Sequence, residues 1–250
     1  MFGVGGLLLS LLVFPMQRLF IRDITTRRQR ARYTVHKSFK FFIKMMEHTG
    51  VFYFDFPTSE QFAETKGKIL VANHPTLIDV VSLISLLPHA DCVVKAELFK
   101  NPFMRGVIQA TGYITNADPE GLLDDCATSL SRGSTLIIFP EGTRTKPGEV
   151  VKLQRGAANM AIRSGCNLTL CSLSCHPTTL TKNEPWYHIP KIRPKLTIRL
   201  VCDWDIHAYQ ESPNHAARRL TRDLELFFNQ VYLEDGTVKN RIKTADYQQS

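Results

Sequence analysis

Two residues that could do chemistry together, His74 and Asp79, lie five positions apart in the stretch Asn-His-Pro-Thr-Leu-Ile-Asp. A neutral imidazole beside a carboxylate is a minimal general base, because the carboxylate keeps one ring nitrogen protonated while the other takes a proton from a hydroxyl. A five-residue offset is about 140° around a regular helix, so the pair meets only in an irregular first turn. Pro75 favours such a turn, since it restricts the residue before it. The alternative is structural: His74 caps a helix, and Asp79 is a solvated first-turn acid.

The elements around this pair place it at the end of a strand. The aliphatic residues 69–72 predict a buried strand that stops at the turn, and residues 77–87 predict a helix. In open α/β sheets the carboxyl ends of the strands face a crevice in which ligands bind. We therefore expect His74 and Asp79 to lie in such a crevice.

A second polar cluster follows the predicted strand at residues 135–139. The end of this strand delivers Glu141, Gly142 and Arg144 to the same crevice. Glycine lets the backbone turn with its amides exposed, and a guanidinium offers paired donors that match phosphate oxygens. The alternative is a tight turn with a Glu–Arg pair on the surface.

Two motifs, in this order, resemble the glycerolipid acyltransferases, the group that contains 1-acylglycerol-3-phosphate acyltransferase. They are the His-x-x-x-x-Asp of His74 and Asp79 and the Phe-Pro-Glu-Gly-Thr-Arg-Thr of residues 139–145. The resemblance runs from about residue 67 to residue 173. It implies transfer of an acyl group from an acyl carrier protein or coenzyme A thioester to a lipid hydroxyl, with His74 as the base that Asp79 orients, and no cofactor or metal.

The same resemblance assigns the acceptor's anionic headgroup to Glu141, Gly142, Thr143 and Arg144. We expect no covalent acyl-enzyme, because the sequence contains no Gly-x-Ser-x-Gly motif.

The chain departs from the family pattern in one motif and carries a distinctive segment. The family usually has an arginine a few residues after a glycine and an aliphatic strand, and residues 112–118 contain none. This departure weakens the expectation of a glycerol-3-phosphate-type acceptor. Residues 176–182 and 186–190 resemble a subgroup that accompanies fatty-acid-type or aryl-polyene synthesis genes. From the residues alone, this segment predicts an aromatic loop over one edge of the site, either a lid or a membrane contact.

The charge of the chain is concentrated near its N-terminus. The whole chain carries +8, and residues 1–50 contain nine Lys and Arg against two acids, a net +7. Residues 1–16 have no ionisable side chain, and the segment to residue 21 suits dipping into one leaflet better than spanning. Bases that follow such a segment predict a domain on the cytoplasmic face of the cell membrane. Nucleic acid is the rival partner for a basic stretch, and the adjoining apolar segment argues against it.

The six cysteines show no paired spacing, which is typical of a reduced cytoplasmic domain. Cys171, Cys175 and His176 suggest zinc only at first sight. In a strand, the two cysteines would stand about 13 Å apart, too far to share one ion. We interpret them as small buried apolar residues.

We predict an α/β fold with a mixed central sheet flanked by helices and an N-terminal membrane-associated helical segment. Residues 1–50 would form the anchor and a basic amphipathic helix, residues 51–233 the acyltransferase domain, and residues 234–250 a polar tail. The other predicted elements are helices at 24–49, 119–132 with Asp118 as N-cap, 152–164 and 213–232, and strands at 51–56, 91–95, 168–174 and 195–202, the last at a sheet edge.

The sequence therefore predicts a membrane-associated acyltransferase that acylates a (lyso)glycerolipid hydroxyl. An acyltransferase for a non-glycerolipid acceptor and a non-catalytic lipid-binding protein remain alternatives. A hydrolase that uses the same pair on water is another, and a nucleic-acid-binding protein is the weakest.

Overall fold

The computed structural model describes residues 2–115, 121–185, 187–188 and 190–234. The strands in these residues are β1 (Tyr53–Asp55), β2 (Ile69–Ala72), β3 (Ala90–Val94), β4 (Ile114–Thr115), β5 (Thr135–Ile138), β6 (Leu168–His176) and β7 (Lys195–Trp204). They form one sheet in the order β1-β7-β6-β2-β5-β3-β4, and each neighbouring pair is parallel except β6 with β7. The predicted α/β class with a mixed sheet is confirmed.

Strand β2 lies at the centre of the sheet and is covered on both faces. Ile69 and Val71 pack into one core cluster, and Leu70 and Ala72 pack into another. A strand buried on both sides is a continuous apolar run, without alternation, and that run is the pattern that predicts it. Strand β2 pairs in parallel with β5, so the ends of these two strands lie side by side.

Helices cover both faces of the sheet. The face with Leu70 packs against α3 (Ile24–His48), α5 (Asp79–Leu86) and α6 (Pro102–Thr111). The face with Ile69 packs against α7 (Gly121–Ser131), α8 (Gly156–Ser164) and α9 (Pro213–Glu234). The connections contain α4 (Ser59–Ala63) and the 3-10 helices Ala96–Lys100 and Ile206–Ala208.

The N-terminal segment is helical and lies against α6. It comprises α1 (Phe2–Leu8), a π-helical turn (Leu9–Val13) and α2 (Phe14–Phe20). By length and composition the helix Gly3–Phe20 could cross a membrane. Its contact with α6 depends on small residues: a Cβ on Gly6 would lie 2.6 Å from the Phe103 carbonyl oxygen, and one on Gly106 would collide with Ser10. Small residues of this kind let two helix backbones approach closely.

Helix α3 packs on the domain through a buried polar network as well as apolar contacts. Arg32 Nη2 lies 2.7 Å from Asp91 Oδ2 on β3, and Arg32 Nε donates to the Thr111 carbonyl at 2.9 Å. His36 Nδ1 lies 2.9 Å from the Ile84 carbonyl on α5. Helix α3 is therefore held against the domain by both polar and apolar contacts.

Two sequence-based expectations about elements were wrong. Strand β7 is not an edge strand along its whole length, because residues 195–197 pair with β1. Residues 152–155 are not helical, and α8 begins only at Gly156. The side chains of α9 hold this stretch extended: Asn229 accepts the Val151 N–H at 2.8 Å, and Glu225 accepts the Leu153 N–H at 2.7 Å. The helical pattern of the sequence does not reveal these long-range acceptors.

Several predictions fall outside the described residues. These are the N-cap at Asp118 with Pro119, the end of the segment 112–118, the aromatic residue Trp186 with Ile189, and the tail from residue 235 onwards.

Candidate active site

The site is built on the turn that follows β2. Asn73, the first residue after the strand, is buried, and its side chain continues the hydrogen bonding to β6 beyond the end of β2. Its Nδ2 donates to the Leu173 carbonyl on β6 at 2.7 Å, and its Oδ1 accepts the Leu173 N–H at 2.7 Å. The turn therefore starts from a backbone position that is fixed on the sheet.

His74 and Asp79 meet in this turn. His74 Nδ1 lies 2.8 Å from Asp79 Oδ2. An ionised carboxylate only accepts hydrogen bonds, so Nδ1 carries the proton and Nε2 is left for a partner. The turn is irregular, as the spacing requires: Asp79 Oδ2 also accepts the Thr76 N–H at 2.7 Å, and Oδ1 accepts the Thr76 hydroxyl.

The burial of this pair contradicts the structural alternative. Asp79 has 0% relative exposure, so it is not a solvated acid, and its side chain spans the turn instead of facing water. The His74 side chain is 17% exposed and packs against the ring of Phe139, with 4.5 Å between ring centroids. The imidazole is held in place by the carboxylate at one nitrogen and by an aromatic ring on its face.

The second cluster is tied to the same turn. Glu141 Oε1 accepts the His74 N–H at 2.7 Å, Glu141 Oε2 accepts the Thr145 hydroxyl, and the Thr145 N–H donates to the His74 carbonyl at 3.3 Å. Burial raises the pKa of Glu141, although the hydrogen bonds from Thr145 and His74 oppose it. Both Glu141 oxygens are thus engaged with the protein, and the residue fixes the backbone of His74.

The remaining predicted site residues lie along the turn after β5. Gly142 has φ +67°, a left-handed conformation that glycine adopts without strain. Thr143 is exposed. Arg144 is half-buried, and its Nη1 donates to the carbonyls of Leu180 and Thr181, each at 2.9 Å. The structure brings all six predicted site residues to one place, with Asp79 behind His74 and the other five on a common wall.

That wall belongs to a groove of about 1300 Å³, larger than the roughly 300–1,000 Å³ of ordinary small-molecule pockets. The groove continues from His74 between α3, α5 and α6, where its walls are apolar. The lining residues of this inner part are Val35, Ile84, Cys92, Met104, Val107 and Ile108. An apolar channel that ends at a histidine suits a long hydrocarbon chain whose reactive end carries polar atoms.

The described residues contain no group of three or more His, Cys, Asp or Glu side chains that could hold a metal ion. Cys171 and Cys175 are buried, and burial raises the pKa of both thiols, that of Cys175 to about 12. A thiol with such a pKa is neither a ready nucleophile nor a ready metal ligand.

Sequence reasoning missed the residues that hold the site together and one on its wall. Thr76 and Thr145 each supply a hydroxyl to a buried carboxylate, and Asn73 bridges two strands. The Thr-x-x-Asp spacing of Thr76 and Asp79, a capping-box pattern, was the available signal. His188 also lines the groove; the sequence predicts that its segment lies over one edge of the site but does not single out this histidine.

A family model, several relatives and a solved structure each show that this chain is similar to acyltransferases. The family model described as "Acyltransferase" matches residues 53–175. A 1-acyl-sn-glycerol-3-phosphate acyltransferase of Helicobacter pylori is 38% identical over 92 residues, which cover 34% of this chain and 39% of that protein. The protein of the same name from Pseudomonas aeruginosa is 25% identical over 239 residues, covering 93% of this chain and 90% of that one.

A solved structure shares the fold. The crystal structure of the 1-acyl-sn-glycerophosphate acyltransferase PlsC from Thermotoga maritima matches with a TM-score of 0.58 and 20% identity, over 92% of this chain and 95% of that one. The matched segment is only 39% of the H. pylori protein and 29% of the chloroplastic relative from Arabidopsis thaliana. With an acyltransferase family model over residues 53–175 and both motifs in one groove, the chain resembles the glycerolipid acyltransferases, the group that contains 1-acylglycerol-3-phosphate acyltransferase.

Proposed function

We propose that this protein transfers a fatty acyl group from a thioester, on acyl carrier protein or coenzyme A, to a hydroxyl of a (lyso)glycerolipid. The observation that carries the proposal is the His74–Asp79 pair at the polar end of an apolar groove. His74 acts as the general base through Nε2, because Asp79 occupies Nδ1. Asp79 orients the ring and stabilises its charged form.

In the proposed reaction, Nε2 of His74 accepts the proton of the acceptor hydroxyl while the oxygen attacks the thioester carbonyl. A new C–O ester bond forms and the C–S bond breaks. The departing thiolate takes the proton from the imidazolium, which returns His74 to its neutral state. The step consumes no oxidant and needs no covalent acyl-enzyme.

The second cluster divides into two roles. Among the described residues, protein carbonyls accept hydrogen bonds only from Nη1 of Arg144, so the rest of its guanidinium supplies positive charge for an anionic headgroup. Gly142 and Thr143 lie on the same wall of the groove, and the acceptor approaches the backbone closely at these two residues. Glu141 acts through His74, because both of its oxygens accept hydrogen bonds from the protein.

The exposed side of the N-terminal helix is proposed as the membrane contact, on the cytoplasmic face. One side of this helix packs on α6, and most of its exposed side chains are large and apolar. These exposed residues are Val4, Leu8, Leu11, Leu12, Met16, Leu19 and Phe20. A contiguous apolar surface of this kind is covered in a working protein, and the bases of α3 beside it favour an anionic lipid surface.

The test of the reaction uses detergent-solubilised full-length protein with acyl carrier protein and coenzyme A thioesters, and a panel of lysolipids. We expect transfer to at least one lysoglycerolipid, and a loss of about 1000-fold or more in His74→Ala. Release of free fatty acid without any acceptor would identify a hydrolase instead. Wild-type protein that binds lipid but transfers nothing to any acceptor would support a binding protein and overturn the proposal.

Flotation with vesicles that contain anionic phospholipid tests the membrane contact. Leu12→Asp should reduce the vesicle-bound fraction several-fold, because the charge enters the apolar layer. Leu226→Asp, at an exposed leucine of α9, is the matched control and should bind as the wild type does. Equal binding of all three proteins would contradict this orientation.

A further inference from the structure

The inner end of the groove lies well away from His74, as the register of the strands shows. Cys92 of β3 lies level with Leu70 of β2, because both pair with Ile137 of β5. Tyr113, one position before β4, lies level with Cys92. His74 is four positions beyond Leu70, and β4 is three places from β2 in the sheet. At about 3.3 Å per residue and about 4.8 Å per strand, the Cα atoms of His74 and Tyr113 are roughly 20 Å apart. An acyl chain whose carbonyl lies at His74 therefore reaches Tyr113 only with its far end.

Tyr113 brings a polar group to this inner end. Its side chain lines the groove, and the residue is only 9% exposed. The buried hydroxyl has no hydrogen-bond partner among the described residues. Burial raises the pKa of Tyr113, so the hydroxyl keeps its proton and remains able to donate. A phenylalanine would fill the same space without a polar atom, whereas a buried hydroxyl without a partner destabilises the fold. The tyrosine is therefore suited to a ligand that brings a hydrogen-bonding group.

The charged side chains beside Tyr113 are committed to other partners. The guanidinium carbon of Arg32 lies 5.9 Å from the centroid of the Tyr113 ring. The same guanidinium pairs with Asp91 at 2.7 Å and donates to the carbonyls of Thr111 and Gly112 at 2.9 and 3.2 Å. Among the described residues, neither Arg32 nor Asp91 lines the groove. The phenol is thus available to a ligand in the groove, and the ion pair is not.

The walls between His74 and Tyr113 are apolar, and this makes the position of a polar group on the ligand decisive. The wall residues are Val35, Ile84, Met104, Val107 and Ile108. An oxygen placed part-way along the chain would be buried among these side chains without a hydrogen bond, which is unfavourable. An oxygen at the far end meets the phenol instead, in surroundings where a hydrogen bond is stronger than in water.

We propose that the Tyr113 hydroxyl binds a hydroxyl group at the far end of the acyl chain, so that the preferred acyl donor is hydroxylated at or near its terminal carbon. This inference rests on the acyl-transfer function proposed above and names the class of its donor. A hydroxyl both donates and accepts, so it matches the phenol of Tyr113 in either direction. A plain hydrocarbon chain of the same length leaves the phenol without a partner, and the site discriminates against it.

The experiment is isothermal titration of the full-length protein in detergent, without acceptor. The ligands are thioether analogues, which cannot be cleaved, on coenzyme A and on acyl carrier protein. Their chains run from dodecyl to octadecyl, each with and without a hydroxyl on the last carbon. At the length that reaches Tyr113, the hydroxylated chain should bind about tenfold more tightly than the plain one, and Tyr113→Phe should abolish this difference. Plain chains should bind Tyr113→Phe at least as tightly as wild type. Tyr53→Phe, at an exposed tyrosine of β1, is the matched control and should keep the preference.

Each outcome decides the inference separately from the reaction. Equal binding of hydroxylated and plain chains at every length, on both carriers, overturns it, and so does a preference that persists in Tyr113→Phe. A preference shown only for the chain of a lysolipid overturns the assignment to the donor. Acyl transfer is scored in its own assay, with the matching thioesters and lysolipids. If Tyr113-dependent binding is present but no acceptor is acylated, the chain-binding site stands and the proposed function fails; transfer without any hydroxyl preference gives the opposite result.

Discussion

Replacing Asp79 with asparagine separates the charge of this side chain from its shape. Asp79 is fully buried, and its two oxygens accept hydrogen bonds from His74 Nδ1 and from the N–H and hydroxyl of Thr76. The asparagine oxygen can accept from His74 and the Thr76 amide, while its amino group donates to the Thr76 hydroxyl. The free energy of unfolding should therefore change by about 1 kcal/mol or less.

The catalytic cost is larger, because a charged imidazolium forms as His74 takes the hydroxyl proton. Opposite charges about 4 Å apart attract by about 4 kcal/mol at an effective dielectric constant near 20. The weakest estimate is the difference between a charged and a neutral hydrogen bond, about 1 kcal/mol. The 2.8 Å contact and complete burial favour the upper part of this range, so we expect kcat to fall about 100- to 1000-fold.

The assay compares kcat and KM for acyl transfer, with thermal unfolding measured on the same preparations. The KM for the acceptor should stay within about twofold, since Asp79 acts through His74 and does not contact the lipid. Asp124→Asn, an exposed acid in the first turn of α7, is the control and should keep wild-type kinetics. A folded Asp79→Asn protein with kcat within threefold of wild type would refute the role of the carboxylate in catalysis.

Three further changes test the fold and the groove. Arg32→Met removes the ion-pair partner of Asp91, whose side chain is only 2% exposed. The free energy of unfolding at pH 7, measured by urea titration, should therefore fall by about 3 kcal/mol. Since burial raises the pKa of Asp91, this loss should shrink as the pH falls and the carboxyl takes up a proton. Hydrogen bonding from Arg199 holds the pKa of Asp55 at about 2. The ionised Asp55 therefore stabilises the fold above about pH 4, and this stabilisation is lost as the pH falls through 2. The acid-unfolding curves of Asp55→Asn and wild type should converge over that interval, and parallel curves would contradict the role of Asp55. Val107→Phe narrows the inner groove and should shift kcat/KM about tenfold from long-chain towards medium-chain thioesters in a competition assay, whereas an unchanged chain preference would place the acyl chain elsewhere.

Local patterns in the sequence predict much of the scaffold. The continuous apolar run of β2 predicts a doubly covered strand, and α3 shows a buried stripe, with exposed bases on the other side. Both patterns are local, because the number of buried faces of an element determines the spacing of apolar residues along it. For the same reason the turn after β2, with its Asn-His-Pro sequence, could be placed at the end of a strand.

The sequence by itself determined the residue types of the site and the strand ends on which they lie. Only the tertiary structure decided how they are used. Glu141 fixes the backbone of His74, and Arg144 donates to the carbonyls of Leu180 and Thr181. His188 reaches the groove from 114 positions further along the chain than His74. The extended stretch before α8 was likewise decided by side chains of α9. Hydrogen bonds between distant segments depend on how the elements pack, and local periodicity carries no record of that packing.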